Sequence, residues 1–371
     1  MNGAARVTAT VDLGAIRSNC RLLLHRSEGR TELCAVVKAG GYGHGASQAA
    51  RAALEGGATR LAVVDGIEAE QLRGAGFECP ILVMGALTED GLHRSLAAGA
   101  DVVIWSERGL DAVVRAGGGR VHVKLDTGMG RLGERDPDLA TAVARAALAA
   151  EGVELIGLMT HFATSDDRDD HGFMDQQLQR FLSWAEPLKS ARPELMLHAA
   201  NSGAALRDPR THLDMIRCGI AVYGIDPFGF DAHAEGLSPA LKLSSYVAEV
   251  KRCRRGESVG YGRRFTATRD TNIAVVPVGY GDGWRRSLGN VGTVALDGRA
   301  YPMVGTVSMD SFTVDVGERG DELIGAPAEL IGGHGPTAEE VAKWSGTIGY
   351  EVTCALTPRV AREYRDDEQA A

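Results

Sequence analysis

Eight short apolar runs, each followed by an alanine-rich amphipathic stretch or a polar turn, recur between Thr31 and about Asp226. They are "LCAVVKA", "RLAVVDG", "PILVMGA", "DVVIWSE", "RVHVKLD", "ELIGLMTHF", "LMLHAANS" and "IRCGIAVYG". Segments such as "GASQAARAALEGGA" and "LATAVARAALAAEG" between them have the length and period of helices. Runs that are apolar on both faces and joined by helices indicate parallel strands covered on both sides. Eight such units in succession predict a closed (β/α)8 barrel, although the pattern alone also admits a doubly wound sheet.

The texture changes after "YGIDPFGFDAHAEGLSP". Strand-like runs ("SSYVAEVKRC", "NIAVVPVGY", "TVALDGRAYPMVG", "SFTVDVG", "PAELIGG") follow one another through glycine turns, with one clear helix at "TAEEVAKWSG". The expected architecture is therefore α/β: an N-terminal (β/α)8 barrel over residues 1–236 and a mostly β C-terminal domain over 237–371. A strand and helix in "ARVTATVDLGAIRSNCRLLLHR" precede the barrel, and that first strand is free to join either domain. The acidic end "YRDDEQAA" reads as frayed.

Composition narrows the partners. Forty Lys and Arg against forty-nine Asp and Glu give a net charge of −9, which disfavours nucleic acid or an anionic membrane and favours a small molecule. No apolar run is long enough to span a bilayer, and the start "MNGAARVTATVDLGAIRSN" lacks a secretory pattern, so a cytoplasmic location is expected. Six cysteines, Cys20, Cys34, Cys79, Cys218, Cys253 and Cys354, stand singly and read as reduced.

Polar residues at barrel strand ends mark the face where active sites are built. Here they are Lys38, Lys124, Asp126 with Arg131 beyond it, His161, His198 with Asn201 and Ser202, and Arg217. A lysine at a barrel mouth, beside other cations, has a lowered pKa and a free amine able to form a Schiff base, for which pyridoxal phosphate (PLP) is the common aldehyde. "NSG" (Asn201 to Gly203) and "CGI" (Cys218 to Ile220) lie where barrels usually hold phosphate. Arg217 is placed to face a pyridine nitrogen. Against this, a lone lysine after an apolar run is more often a surface cation, and Arg217 also suits a structural ion pair. His161 with Asp166, Asp167 and His171 is open to reading as a metal-hydrolase site or as a solvated loop. The residues alone reach a barrel enzyme and stop short of a reaction.

The ordered set "AVVKAGGYGHG", "VKLDTGMGRLG", "THFA", "HAANSGA", "IRCGIAVYG", "GYGRRF", "VPVGYGDG", "VGTVSMD" and "IGYEV" resembles the alanine racemases, fold-type III PLP enzymes, over nearly the whole chain. The resemblance implies a head-to-tail homodimer in which each site borrows residues from the partner's second domain, and a D-alanine product for peptidoglycan. It makes Lys38 the PLP lysine and one acid/base, with Tyr261 as the base on the opposite face. Tyrosine is a weak base at its ordinary pKa of about 10, so tuning by nearby charge is expected. Arg217 would face the pyridine nitrogen, oriented by His198, with His161 beside the ring. Tyr42, Ser202, Gly219, Ile220 and Tyr350 would hold the phosphate, alongside Asn201. Arg131 would contact the cofactor and the substrate carboxylate, positioned by Lys124, which many relatives carry as a carbamate. Met309, Asp310 and Tyr280 would line the substrate end. Gly40 stands where the family usually has Asn or Asp, "GYGDGW" replaces the commoner "GYADGY", and Thr306 replaces an arginine of the access corridor. A broader amino-acid racemase, a PLP decarboxylase or aldolase, and a PLP-carrying protein of the single-barrel type are the competing readings.

Overall fold

The computed structural model describes residues 5–27, 31–170 and 172–366. A first strand, β1 (Thr8–Asp12), precedes the eight predicted runs. All eight form strands: β2 (Glu32–Val36), β3 (Arg60–Val63), β4 (Ile81–Val83), β5 (Asp101–Ile104), β6 (Gly119–Lys124), β7 (Val153–Met159), β8 (Met196–His198) and β9 (Met215–Cys218). They pair in parallel in the order β8-β7-β6-β5-β4-β3-β2-β9. The two ends of that row meet through Arg217 N–H to Ala200 O at 3.0 Å and Asp214 N–H to Leu197 O at 3.0 Å, so the sheet is a nearly closed barrel and not a doubly wound one.

Short polar residues at the ends of the βα loops start the outer helices. The side chains of Asp65, Thr88, Ser106, Asp136 and Asn201 each accept a backbone N–H from the first turn of the helix they precede. Except at Asp136, these caps stand within five residues of the strand end, which keeps those loops short and the polar strand-end residues on one face.

The chain packs as two compact units. One comprises Ile16–Gly41 and Ala46–Val222; the other comprises the residues up to Ala15, Tyr42–Gly45, and Tyr223 onward. This division falls at Tyr223, ahead of the change of texture near Leu237, because the intervening segment folds back on its own unit. Ala240 donates to Tyr223 O at 3.1 Å, and Asp226 accepts the N–H groups of Phe228, Phe230 and Asp231 while its own N–H goes to Glu339.

The second unit is built on a nine-stranded, mostly antiparallel sheet. In it β1 pairs antiparallel with the strand Leu241–Tyr246 and parallel with Ala361–Arg365. Its alternating burial places Ala9 and Val11 in the core and its threonines toward the outside. The acidic end from residue 367 on lies outside the described residues. Among the described residues no helix is long and apolar enough to cross a membrane.

Candidate active site

Lys38 stands two residues beyond the end of β2 and is half-buried. The chain after it makes a left-handed turn: Ala39, Gly40, Gly41 and Tyr42 have φ of 53°, 63°, 65° and 52°. Two glycines make this affordable, since a left-handed residue with a side chain costs roughly 1–2 kcal/mol. Nothing lies within 4 Å of a Cβ built on Gly40, so the position demands left-handed backbone and not small size, a demand that Gly, Asn and Asp can all meet. Glu68 clamps the turn by accepting the N–H of Ala39 at 2.6 Å and of Val64 at 2.8 Å. The strain and its clamp fix the direction in which Lys38 leaves the strand.

At the end of β6, Lys124 is buried, and burial together with the charges of Arg217 and Arg131 pushes its amine down to about 8 against a weaker pull from Asp126. Asp126 organises the turn that carries Arg131. Its carboxylate accepts Gly128 N–H and Gly130 N–H at 3.0 Å and Arg135 Nε at 3.1 Å, and these bonds outweigh burial to hold it below the usual carboxylate range. Arg131 itself is exposed.

His161, beyond β7, turns Nδ1 toward Arg217 at 3.3 Å. Burial, then the charges of Arg217, Lys124, Arg131 and Lys38, hold the ring neutral well below the usual histidine range. Four cations thus act on one imidazole. Buried Gln177 braces this loop, donating to His161 O at 3.2 Å and Thr127 Oγ1 at 3.1 Å while accepting Ala163 N–H at 2.9 Å. The metal-site reading gains nothing here, since His161 faces a guanidinium, Asp166 and Asp167 are exposed, and no ligand cluster exists among the described residues. His171 lies outside the described residues.

Arg217, on β9, is only 3% exposed and nearly fully committed. One terminal nitrogen donates to His198 Nδ1 at 2.8 Å; the other reaches Thr160 O at 2.8 Å and Ala199 O at 3.0 Å besides His161. Its Nε–H is buried with no acceptor. A buried orphan donor is costly and calls for an acceptor from outside the chain. The unprotonated ring nitrogen of PLP is such an acceptor, and its phosphate and phenolate suit a site ringed by cations, so the residues present fit this cofactor. Beside Arg217, Ser202 Oγ accepts the N–H of Gly219 at 3.0 Å and of Ala221 at 3.3 Å, drawing Ser202, Gly219 and Ile220 into one buried corner. Asn201 caps the helix Ser202–Arg207, its oxygen taken by Ala204 N–H and Ser165 Oγ.

The second unit holds the remaining residues. Tyr42 packs on Tyr223 with ring centroids 5.0 Å apart and on Tyr350 at 6.1 Å. Gly43 follows because a Cβ there would stand 2.1 Å from Thr353 O. Elsewhere in this unit Tyr261 tops a short turn and is 72% exposed; Thr306 Oγ1 donates to its carbonyl at 2.9 Å and so straps that turn. Tyr280, 44% exposed, and Met309, 52% exposed, are joined through Tyr280 N–H to Ser308 O and Gly281 N–H to Met309 O. Asp310 pairs with Arg359 at 2.6 Å. Sequence reasoning missed Glu68 and Gln177, both ordinary helix residues in the sequence whose roles arise only from what the fold brings beside them.

Two family profiles match the chain: "Alanine racemase, N-terminal domain" over residues 11–227 and "Alanine racemase, C-terminal domain" over 240–364. An alanine racemase of Frankia casuarinae is 41% identical, the match covering 97% of this chain and 96% of that one. A crystal structure of alanine racemase from E. faecalis superposes with TM-score 0.90 at 34% identity, covering 98% of this chain and all of that one. One from Bacillus anthracis with bound L-Ala-P superposes with TM-score 0.88 at 32% identity, covering 100% and 97%.

Proposed function

The chain belongs to the alanine racemase family, and from that membership we propose that it interconverts L- and D-alanine with PLP as cofactor, moving the Cα proton between two bases. The observation that carries the cofactor and the site is the convergence of Lys38, Lys124, Arg131 and Arg217 on His161, next to the uncommitted Nε–H of Arg217. PLP, when bound, supplies a ring that withdraws electrons from the substrate Cα and makes its proton acidic enough for a side chain to take.

Lys38 holds the cofactor and carries the proton on one face of Cα, and Tyr261 of the partner subunit carries it on the other. Racemisation needs both, because one group must remove the proton while the other returns it from the opposite side. Arg217 offers the ring nitrogen a hydrogen bond without surrendering a proton, since its pKa, lowered by burial to about 10, still leaves it charged at neutral pH. That limits electron withdrawal and disfavours decarboxylase or aldolase chemistry on this scaffold. Ser202, Gly219 and Ile220 take the phosphate, with Asn201 holding the helix start beside Ser202; family membership assigns Tyr42 and Tyr350 to the same group.

Arg131 binds the substrate carboxylate, and Met309, Asp310 and Tyr280 close the substrate end from the partner subunit. The exposure of Tyr261, Tyr280 and Met309 on one protomer supports a homodimer that covers them. The role that membership supports is cytoplasmic supply of D-alanine for peptidoglycan. The test is a chiral assay of the PLP-loaded protein with L-alanine. D-alanine should accumulate to near parity, with a higher kcat/KM than for serine, lysine or arginine; failure to racemise alanine, or preference for a larger side chain, refutes the reading.

Lys124 gives a second expected result. An amine pushed down to about 8 is largely neutral in mildly alkaline solution and can take up carbon dioxide, becoming an anion able to pair with Arg131. Exhaustive removal of carbon dioxide is expected to raise KM for alanine roughly tenfold, the worth of one charge-assisted hydrogen bond. Added bicarbonate should reverse this, faster as pH rises through 8. A KM indifferent to carbon dioxide would leave Lys124 a plain cation.

A further inference from the structure

A chain of buried polar side chains runs through the barrel from the face opposite Lys38. Asp101, the first residue of β5, is 1% exposed and pairs with Arg120 of β6 and, at 3.6 Å, with Arg60 of β3. These three line a solvent-facing cavity of about 390 Å³ at that end of the barrel. His122 of β6, also 1% exposed, presents Nε2 to the Asp101 carboxylate at 3.5 Å, an ion-pair contact longer than a hydrogen bond. Its Nδ1 lies 2.9 Å from His198 Nε2, and His198 Nδ1 lies 2.8 Å from the Arg217 guanidinium. The sequence makes room for this: a Cβ on Gly157 of β7 would stand 2.8 Å from His122 Nδ1, and the β6–β7 register shifts at His122.

Donor chemistry fixes every proton in the chain. A guanidinium has no lone pair to offer, so His198 Nδ1 must accept. Its proton then sits on Nε2 and is donated to His122 Nδ1, which places the His122 proton on Nε2, facing a carboxylate that can only accept. The two ends of the chain demand the same tautomers, and a flipped ring at either histidine would set N–H against N–H beside Arg217.

We propose that Asp101 and His122 are positioning residues for the proposed reaction: they fix the tautomer of His198, and through it hold Arg217 with Nε as its one nitrogen left without an acceptor. The inference rests on the PLP reading only for what Arg217 faces. Burial, reinforced by Arg60 and Arg217, keeps both rings neutral, with Asp101 alone pulling the other way on His122.

Long-range proton–nitrogen spectra of the nitrogen-labelled full chain, with and without PLP, test this directly. His122 and His198 should both be neutral and protonated on Nε2 in the unsubstituted protein; finding either on Nδ1, or doubly protonated, overturns the relay without any variant. In His122→Phe, His198 loses the acceptor for its Nε2–H, and a Nδ1–H population should appear. The absorption of bound PLP and the pH at which it titrates should shift, and kcat should fall about tenfold, the loss of one buried hydrogen bond, with KM for alanine within about twofold. Asp101→Asn, which keeps the shape, should move the same readouts less. An unchanged His198 tautomer together with an unchanged cofactor spectrum in both variants overturns the proposal. Failure of the unsubstituted protein to take up PLP overturns the functional reading instead.

Discussion

Lys38→Ala is expected to lower kcat for alanine racemisation at least roughly a thousandfold, because under the proposed function it removes both the covalent anchor of the cofactor and one of the two proton carriers. The visible absorption of the PLP-loaded protein, expected near about 420 nm, should disappear with it. The fold should not suffer. Lys38 is half-buried, and its charge acts on His161 together with those of Arg217, Lys124 and Arg131, so alanine removes one cation from a strongly positive site. The left-handed turn that follows is held by Glu68 through the backbone N–H groups of Ala39 and Val64. The melting temperature of the cofactor-free variant should therefore stay within a few degrees of that of the unsubstituted protein. A variant that keeps the absorption band and a measurable rate would show that another amine carries the cofactor. One that melts much lower would mean that the lysine is structural, and the loss of rate would then say nothing about chemistry.

The barrel was legible because its strands are continuous apolar runs and its helices amphipathic, and both patterns are local. The residues that end those runs, Lys38, Lys124, His161, His198 and Arg217, were legible for the same reason: a polar side chain closing an apolar run stands out in one dimension. What holds them was not. Glu68 sits in an unremarked helix thirty residues after Lys38, and nothing in "GIEAEQLRG" says that its carboxylate takes the N–H of Ala39. His122 lies between two valines and Asp101 opens a run of apolar residues, so they read as interruptions of a core; only the barrel's closure brings β5, β6, β8 and β9 around one line of polar contacts. The first strand showed the same limit, since its alternation announces a strand but its partners, Leu241–Tyr246 and Ala361–Arg365, are more than two hundred residues away. The family motifs supplied residue roles that local physics does not, and the free Nε–H of Arg217 is where the two lines of reasoning meet.

Arg217→Met should show how much of the site that guanidinium governs. Methionine is close in length and apolar, so the substitution leaves Thr160 O, Ala199 O and His198 Nδ1 without their donor. Each buried acceptor left unpaired costs about 1–3 kcal/mol, while removing a buried cation from among three others returns part of that. A net loss of roughly 2–4 kcal/mol in unfolding free energy at pH 7.5 is expected. The pH dependence should move the other way. His161 and His198 are held neutral by burial first and by Arg217 next, so below about pH 6.5 the unfolded chain binds protons at these positions that the folded chain does not. Stability of the unsubstituted protein therefore falls as pH drops below that value. Without Arg217 both rings protonate more readily in the folded state, and the decline between pH 6.5 and 5 should be shallower, as urea titrations at the two pH values would measure. Activity should drop roughly a hundredfold or more, since an oriented charged donor at the ring nitrogen is lost. Arg217→Lys should restore the charge but not the fork, recovering the acid sensitivity more than the rate. A methionine variant with an unaltered rate would remove Arg217 from the chemistry. One with unaltered acid sensitivity would mean that burial alone keeps His161 and His198 neutral.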